Sequence, residues 1–249
     1  MRVVTKSFLR YLLRRRSLSL LQLLGIACGV AAAVGMFFSS QTALSNFSNT
    51  VTFLNGKTTH TLQRTAGPLG EEVLLDIMRD PAVDAFSPVI DRRIILNTGE
   101  IIRIMGMDIF LDKDIRAEFG ALSLFTEQSQ EKTISFLTQE LTALIDTRLA
   151  KKLSLQIDDE LKTNRASLKV IGTFSNPSGE PLILMDIAHL QELFDLRGKI
   201  DRVDLIISDY EGFHARFKRG YLIQSNSQRE SSLSNMFRAF RLNLEALSL

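Results

Sequence analysis

The sequence predicts an α+β protein. We expect one N-terminal transmembrane helix with a helical stalk, then an extracytoplasmic mixed α/β domain of two subdomains, and a C-terminal stalk helix. Three observations predict this architecture. An apolar run without charges follows a basic N-terminus, strand-like and helix-like segments then alternate, and the last residues form an apolar helical stripe. The alternation lacks a regular βαβ repeat, which is typical of α+β domains.

Composition and charge limit the class of protein. The 249 residues are 45% hydrophobic and 23% charged, as expected of an ordered protein. The net charge is only +2, and six cations occur before residue 17, whereas the first acidic residue is Glu71. The rest of the chain carries no basic stripe, so we expect no nucleic-acid partner. The single cysteine, Cys28, excludes an intrachain disulfide.

Residues 1–16 form a predicted basic amphipathic segment at the cytoplasmic membrane surface. Cations spaced by four residues, beginning at Arg2 and Lys6, share one helical face. The alternative is an ordinary positive flank that only sets the topology. The predicted anchors of the cytoplasmic end of the membrane segment are Arg10, Arg14, Arg15 and Arg16.

The predicted transmembrane helix covers residues 17–40. No charged residue occurs between Arg16 and Lys57, and residues 18–38 would form a helix of about 31 Å, close to the thickness of the hydrocarbon core. The positive-inside rule places the N-terminus in the cytoplasm and the main domain outside. A cleavable signal peptide has a shorter apolar core. A lipoprotein signal would need a Leu-like residue where Gly25 stands, three residues before Cys28.

Small residues lie on one face of this helix, because Gly25, Gly29 and Ala33 are spaced by four. Such spacing lets a second membrane helix approach closely. The sequence therefore predicts a packing partner for this face. The alternative is that these residues serve only to keep the segment apolar.

Two helical stalks are predicted, one on each side of the domain. Residues 41–56 continue the first helix, and residues 229–249 form a second stalk that leads to a missing transmembrane helix. Both predictions rest on apolar positions at helical spacing. The two stripes are Leu44, Phe47, Val51 and Leu54 in the first stalk, and Phe237, Phe240, Leu244 and Leu247 in the second. We therefore expect the chain to be the N-terminal part of a larger protein.

The extracytoplasmic domain is predicted over residues 57–228. In chain order, KTTHTLQR is typical of a strand and EEVLLDIMRD of a helix that ends before Pro81. AFSPVIDRRIIL and EIIRIMGMD predict two paired strands around the turn at Asn97–Gly99, and DDELKTNRASLKVIGTF predicts a hairpin. TALIDTRLAKKLSL and PLILMDIAHLQELFDL each predict a strand that leads into a helix, and RVDLIIS predicts a further strand.

No catalytic, cofactor-binding or metal-binding motif is evident in the sequence. NGKT resembles the end of a phosphate-binding loop, but Val51 stands where that loop needs its first glycine. The three histidines, His60, His189 and His214, lie far apart in the sequence and lack metal-ligand spacing. The acidic run at 158–160 is typical of a solvated turn. We therefore predict that the chain is not an enzyme and has no cofactor.

The order of these segments resembles the FtsX-like and MacB-type (type VII) ABC transporter permeases, which include macrolide-exporter and lipoprotein-releasing types. The resemblance rests on FSPVIDRRIIL, IIRIMGMDIF, LIDTRLAKKLSLQIDDEL, LKVIGTF, LILMDIAHLQELF and RVDLII. In the family's periplasmic core domain, a helix with a D-x-x-hydrophobic-A-x-x-L pattern precedes an acidic turn. Here the matching residues are Asp146, Leu149, Ala150 and Leu153.

This resemblance implies a permease subunit of the bacterial cytoplasmic (inner) membrane. It implies a separate or fused cytoplasmic ABC ATPase, a second permease subunit in a dimer, and a periplasmic adaptor or lipoprotein as a further partner. ATP hydrolysis would move the membrane helices, and the stalks would carry this motion to the periplasmic domain. The substrate would be hydrophobic or lipid-linked.

A function of another class stays open beside the permease. The chain could be a single-pass membrane-anchored sensor or binding module with an extracytoplasmic domain. The C-terminal stripe would then pack on the domain or form a coiled coil. The coding sequence downstream of Leu249 distinguishes the two, because further apolar spans are expected only for the permease.

Overall fold

The computed structural model describes residues 16–116, 130–176 and 180–227. Its first element is helix α1, Arg16–Asn55, which is 40 residues long. This single helix contains the predicted transmembrane segment and the residues of the first stalk. It contains no proline and many Leu and Ala residues, which favour a helix. It ends at Gly56, whose φ of +56° is the left-handed conformation that glycine adopts at helix C-termini.

Short strands and helices follow α1. The strands are β1 (His60–Arg64), β2 (Leu69–Gly70), β3 (Val83–Ile95), β4 (Ile101–Met107), β5 (Thr142–Asp146), β6 (Glu160–Lys162), β7 (Ser167–Phe174), β8 (Leu182–Asp186), β9 (Lys199–Ile200), β10 (Arg202–Ile207) and β11 (Tyr221–Ser225). The helices are α2 (Val73–Met78), α3 (Ile109–Asp112), α4 (Gln130–Thr138), α5 (Thr147–Leu153), α6 (Ile187–Leu193) and α7 (Tyr210–Phe217).

Nine of these strands form one sheet, in the order β11-β1-β10-β3-β4-β8-β5-β7-β6, and β2 pairs with β9 separately. Neighbouring strands are antiparallel except for the parallel pairs β4–β8 and β5–β7. Strand β10 lies between β1 and β3 and is antiparallel to both. The β4–β8 pair joins the first five strands of this order to the remaining four, so all nine belong to one sheet.

Each face of the sheet carries its own apolar core. The first face packs against α2, α5, α6 and α7, and the second face packs against the end of α1 together with α3 and α4. On the first face Leu62, Ile90, Ile104 and Val203 are fully buried, and on the second face Val89, Met105 and Leu184 are. Strands buried on both sides explain why segments such as LILMD are apolar at nearly every position.

Aspartates connect several strands to the helices that follow them. Asp146 Oδ1 accepts a hydrogen bond from Arg148 N at 2.9 Å, and Asp186 Oδ1 accepts one from Ala188 N at 2.9 Å. Both side chains satisfy a backbone donor that has no partner within the helix, as N-cap residues do. Leu149 and Ala150 of α5 are buried, so the D-x-x-hydrophobic-A pattern is an N-cap followed by the apolar face of a helix.

The predicted mixed α+β class is confirmed. The two strands around Asn97–Gly99 pair as β3 and β4, and the predicted hairpin is β6–β7. The two predicted strand-to-helix units are β5–α5 and β8–α6. The sequence patterns do not predict α3, α4, α7, β2, β9 or β11. Helix α3 has only four residues, and β11 is an edge strand that is mostly half-buried, so neither has a clear periodicity.

Gly106 of β4 allows helix α6 to lie against the sheet. A Cβ at this position would lie 2.8 Å from Leu190 Cδ2, 3.0 Å from Leu190 Cβ and 3.3 Å from Ile187 Cα. We therefore expect Gly106→Ala to lower the free energy of unfolding by about 1–3 kcal/mol through overpacking. Chemical denaturation followed by circular dichroism would measure the change.

The matched control is Gly172→Ala in β7. There the added Cβ would meet only Leu144 Cδ2, at 2.9 Å, and that flexible side-chain end can rotate away. A loss for Gly172→Ala as large as that for Gly106→Ala would contradict the packing role assigned to Gly106.

Candidate functional site at the end of the first helix

The apolar part of α1, Leu20–Ser39, is long and apolar enough to cross a membrane. None of this 20-residue window is buried against the rest of the described chain. A Cβ added to Gly25 or Gly29 would meet nothing within 4 Å, and Ala33 is also exposed. The three small residues therefore form an open strip on the helix. The prediction that a second helix packs against it stays a prediction.

Many of the other predicted site residues lie outside the part of the chain that can be described. The structure does not describe the flank residues Arg10, Arg14 and Arg15, the second stalk at 229–249 with Phe237, Phe240, Leu244 and Leu247, or the side chains of Arg16, Leu44, Phe47 and Val51. Leu54 is described and is buried in the core of the second face. It contributes to the domain itself.

The last turn of α1 is fixed against the segment that follows α3. Phe53 and Leu54 are each only 7% exposed, because both pack in the second core. The chain then turns at Gly56, where an added Cβ would lie 2.3 Å from Ile115 O. Lys57 N donates a hydrogen bond to this same carbonyl at 2.8 Å. The helix end therefore has backbone contact with the domain.

Arg116 is the central side chain of this junction, and its guanidinium is fully buried. Its Nε donates to the carbonyl oxygen of Leu54, Nη1 donates to Asp112 Oδ1, and Nη2 donates to Asp204 Oδ2. One side chain thus joins the end of α1, helix α3 and strand β10. We call Arg116, Asp112, Asp204 and the Leu54 carbonyl the Arg116 cluster. A planar guanidinium suits this role because its donors point in fixed directions.

A chain of ion pairs continues from this cluster across the second face. Arg202 Nε lies 3.0 Å from Asp204 Oδ1, and Arg202 Nη1 lies 2.9 Å from Asp91 Oδ2. Asp91 also accepts two hydrogen bonds from Arg103, at 2.9 Å from Nε and 2.5 Å from Nη2. Basic and acidic groups alternate from α3 to β4. This ion-pair chain is the main polar feature of an otherwise apolar sheet.

The pKa values of the carboxylates follow from this arrangement. Burial acts to raise the pKa of Asp204, but the charges of Arg202 and Arg116 lower it below its ordinary value. The pKa of Asp91 is also lowered, because the hydrogen bond from Arg103 and the charge of Arg202 outweigh the effect of burial. Burial raises the pKa of Asp112 above its ordinary value, because its effect outweighs the charge of Arg116 and the hydrogen bond with Ser87. Asp112 is therefore the least well compensated charge of the cluster.

The segments by which the chain enters and leaves the sheet are also bonded to each other. Asn226 Nδ2 donates to Thr58 O at 2.9 Å, and Asn226 N donates to Thr59 O at 3.0 Å. Thr61 Oγ1 lies 3.4 Å from Asp204 Oδ1 and 3.5 Å from Asn226 Oδ1, so its hydroxyl is placed between the two side chains. These contacts extend the Arg116 cluster from the end of α1 to the residue that follows β11.

These groups connect elements of the fold. Among the described residues no three potential metal-ligating side chains lie together. Two of the histidines contact the same tyrosine, because the ring centroids of His60 and His214 lie 4.8 Å and 5.4 Å from that of Tyr210. The sequence does not indicate this contact, because His60 is far from Tyr210 in the chain. The three rings form an aromatic cluster beside β1.

The sequence does carry one signal for the ion-pair chain. Asp204 and Asp91 stand inside the apolar strand segments RVDLII and VIDRRII. A carboxylate inside a buried strand requires a cation as partner. Arg116 has no such signal, because the polar segment around it gives no indication that it is buried.

Known proteins resemble this chain in sequence and in fold. A family model described as the MacB-like periplasmic core domain matches residues 19–214. The uncharacterized ABC transporter permease protein Rv0987 of Mycobacterium tuberculosis is 28% identical over 247 residues, covering 92% of this chain and 28% of the relative. The chain thus spans little more than a quarter of the length of that relative.

Two solved structures share the fold. The periplasmic region of MacB from Actinobacillus actinomycetemcomitans has a TM-score of 0.50 at 12% identity, covering 73% of this chain and 94% of that structure. The extracellular domain of the noncanonic ABC-type transporter YknZ from Gram-positive bacteria has a TM-score of 0.50 at 12% identity, covering 68% and 100%. At this identity the likeness shows the fold alone.

Proposed function

Because the chain belongs to the family of MacB-like periplasmic core domains, we propose that it is part of a permease subunit of an ABC transport complex. The observation that carries this proposal is the extent of the family match, which begins within α1 and continues through the domain to residue 214. The match therefore covers both the apolar segment of α1 and strands β1 to β10. The similarity to the ABC transporter permease protein Rv0987 of Mycobacterium tuberculosis supports the same assignment.

In the proposed orientation the N-terminus lies in the cytoplasm and the domain lies outside the bacterial inner membrane. The support is the distribution of charge, since six cations precede residue 17 and no charge occurs from residue 17 to residue 56. Arg10, Arg14, Arg15 and Arg16 would anchor the cytoplasmic end. The proposal includes five segments: the basic cytoplasmic segment 1–16, the transmembrane helix 17–40, the first stalk 41–56, the extracytoplasmic domain 57–228 and the second stalk 229–249.

The proposed mechanism is mechanical. A cytoplasmic ABC ATPase, carried by a separate subunit, would hydrolyse ATP and move the membrane helices. Helix α1 supports this coupling because it is one helix from Arg16 to Asn55 and its last turn is bonded into the domain through Leu54 and Arg116. Movement of this helix end would act directly on β10, where Asp204 holds the same guanidinium. The domain would then help to export or extract a hydrophobic or lipid-linked substrate, together with a periplasmic adaptor or lipoprotein.

Purification of the tagged full-length protein from its native membrane tests this function. We expect an ABC ATPase to co-purify and to be identified by mass spectrometry, and its ATPase activity to respond to changes in the permease. Recovery of the protein without any ATPase, under conditions that retain a known ABC complex, would favour the single-pass sensor or binding module.

Small residues of α1 are expected to be needed for association with a second membrane helix. Replacing both Gly25 and Gly29 by leucine fills the open strip, so helix association in a membrane two-hybrid assay should fall severalfold. The matched control is Ala27→Leu with Ala31→Leu, which adds comparable bulk about half a turn away. Equal effects of the two double variants would remove the packing role of the strip.

A further inference from the structure

The β3–β4 hairpin carries an unusual row of side chains on the second face of the sheet. In the antiparallel register, Arg93 lies directly opposite Arg103, and Ile95 lies directly opposite Ile101. Residues two apart in a strand share a face, so both pairs point to the same side. We call Arg93, Arg103, Ile95 and Ile101 the hairpin patch. A basic pair is thus followed immediately by an apolar pair.

Of the two arginines of the patch, Arg103 is paired with Asp91, whereas Arg93 has no anionic partner among the described residues. Like charges directly opposite each other destabilise a strand pair. Arg103 binds Asp91 through Nε and Nη2, whereas its Nη1 lies 3.8 Å from Glu180 Oε2, beyond hydrogen-bond distance. Asp91 is shared with Arg202. Arg93 is exposed and forms no ion pair with any described residue. An anion between the two guanidinium groups would remove their repulsion.

There is space for such an anion. An open depression of about 470 Å³ is lined by Asp91, Arg92, Arg93, Arg103 and Glu180. Arg92 is held by Asp201, at 2.6 Å from Nη1 to Oδ2 and 2.5 Å from Nη2 to Oδ1. Glu180 is the carboxylate that a ligand would displace, and its side chain is 49% exposed. Paired guanidinium groups are well suited to a carboxylate or a phosphate.

The isoleucine pair indicates what the anion is attached to. Ile95 is 42% exposed and Ile101 is 62% exposed, although most apolar residues on this face of the sheet are buried. Two residues along a strand span about 7 Å, so a head group held by the arginines would place the start of an acyl chain over the isoleucines. Burying these side chains against the chain would be favourable.

We infer that the hairpin patch binds an anionic amphiphile, with its carboxylate or phosphate between Arg93 and Arg103 and its acyl chain over Ile95 and Ile101. This names the substrate class for the proposed function. The binding itself does not depend on an ATPase. Failure of the ATPase to co-purify would leave the labelling result below intact, and a negative labelling result would leave the permease assignment intact.

The test uses the full-length protein in nanodiscs of neutral phosphatidylcholine. The probe is palmitate with a terminal diazirine, and the uncharged probe is its methyl ester with the same diazirine. After photolysis, labelling of peptides covering residues 94–103 is measured by mass spectrometry relative to labelling of the membrane helix. We expect this ratio to be about two- to fivefold higher for the acid than for the ester, as loss of one exposed charge contact would predict.

Variants locate the site. Arg93→Gln and Ile101→Thr should each lower labelling by the acid toward the level of the ester. The matched controls, Arg197→Gln and Ile157→Thr, replace exposed residues away from the patch and should leave it unchanged. Thermal unfolding checks that each variant is folded. We expect little change in the midpoint, because all four replaced side chains are exposed.

Three results would overturn the inference. The first is equal labelling by the ester, which would indicate contact of the hairpin with the bilayer. The second is labelling that Arg93→Gln leaves unchanged. The third is complete displacement of the acid by millimolar inorganic phosphate, which would assign a site for free anions.

Discussion

Replacing Arg116 by methionine is expected to lower the free energy of unfolding of the domain by about 3–5 kcal/mol. Methionine fills similar space, but it leaves Asp112 and Asp204 as buried carboxylates without their shared cation. It also removes the hydrogen bond to the Leu54 carbonyl. Charges that are buried without a partner cost far more than an exposed ion pair contributes. Thermal unfolding in detergent should show the midpoint falling by about 10 °C.

Two further variants separate charge from packing. Arg197→Met removes an arginine whose side chain is 78% exposed and pairs with Glu192, so we expect a loss below about 1 kcal/mol. Adding Asp112→Asn to Arg116→Met removes one uncompensated charge and should recover part of the lost stability. If Arg116→Met were no more harmful than Arg197→Met, the Arg116 cluster would not hold the helix end to the sheet.

Replacing Gly56 by alanine is expected to lower the free energy of unfolding by about 3 kcal/mol. Two effects add at this position. A φ of +56° costs a residue with a Cβ about 1–2 kcal/mol. The added Cβ would also lie 2.3 Å from Ile115 O and 2.9 Å from Arg116 Cγ. The first of these atoms belongs to the backbone, so the end of α1 must shift. Chemical denaturation would measure the loss.

Gly67→Ala is the control for backbone strain. Gly67 has a φ of +76°, and a Cβ there would meet nothing within 4 Å. It should therefore show the conformational cost without the clash, about 1–2 kcal/mol. Equal losses for the two variants would mean that the backbone around Ile115 accommodates the methyl group. In that case the close contact at the end of α1 would not constrain the helix.

Local sequence patterns predict many of the elements of this fold but not their arrangement. The turn at Asn97–Gly99 between two strand-like segments identifies β3 and β4, and continuous apolar runs identify β5 and β8, which are buried on both faces. The order of the strands in the sheet cannot be predicted from such local patterns. Strand β10 pairs with β1 and β3, and no periodicity within RVDLII specifies those neighbours.

Local sequence patterns also predict only part of the candidate site. Asp91 and Asp204 can be suspected of having buried partners, because a carboxylate stands among apolar residues in each strand. Arg116 cannot be identified in this way, since its partner Asp204 is 88 residues away in the chain. Its importance depends on a tertiary contact. By contrast, the apolar segment of α1 is evident from the sequence, because crossing a membrane depends on length and composition.

The position of β10 in the sheet determines when the sheet can be completed during synthesis of the chain. Thr61 in β1 and its cross-strand partner Asp204 in β10 are 143 residues apart, so most of the domain is made before they can meet. Until then β1 and β3 lack the neighbour that lies between them, and their backbone groups are open to other strands. Such long-range pairing makes folding slow. We therefore expect the edges of β1 and β3 to stay exposed in the nascent chain until β10 has been made.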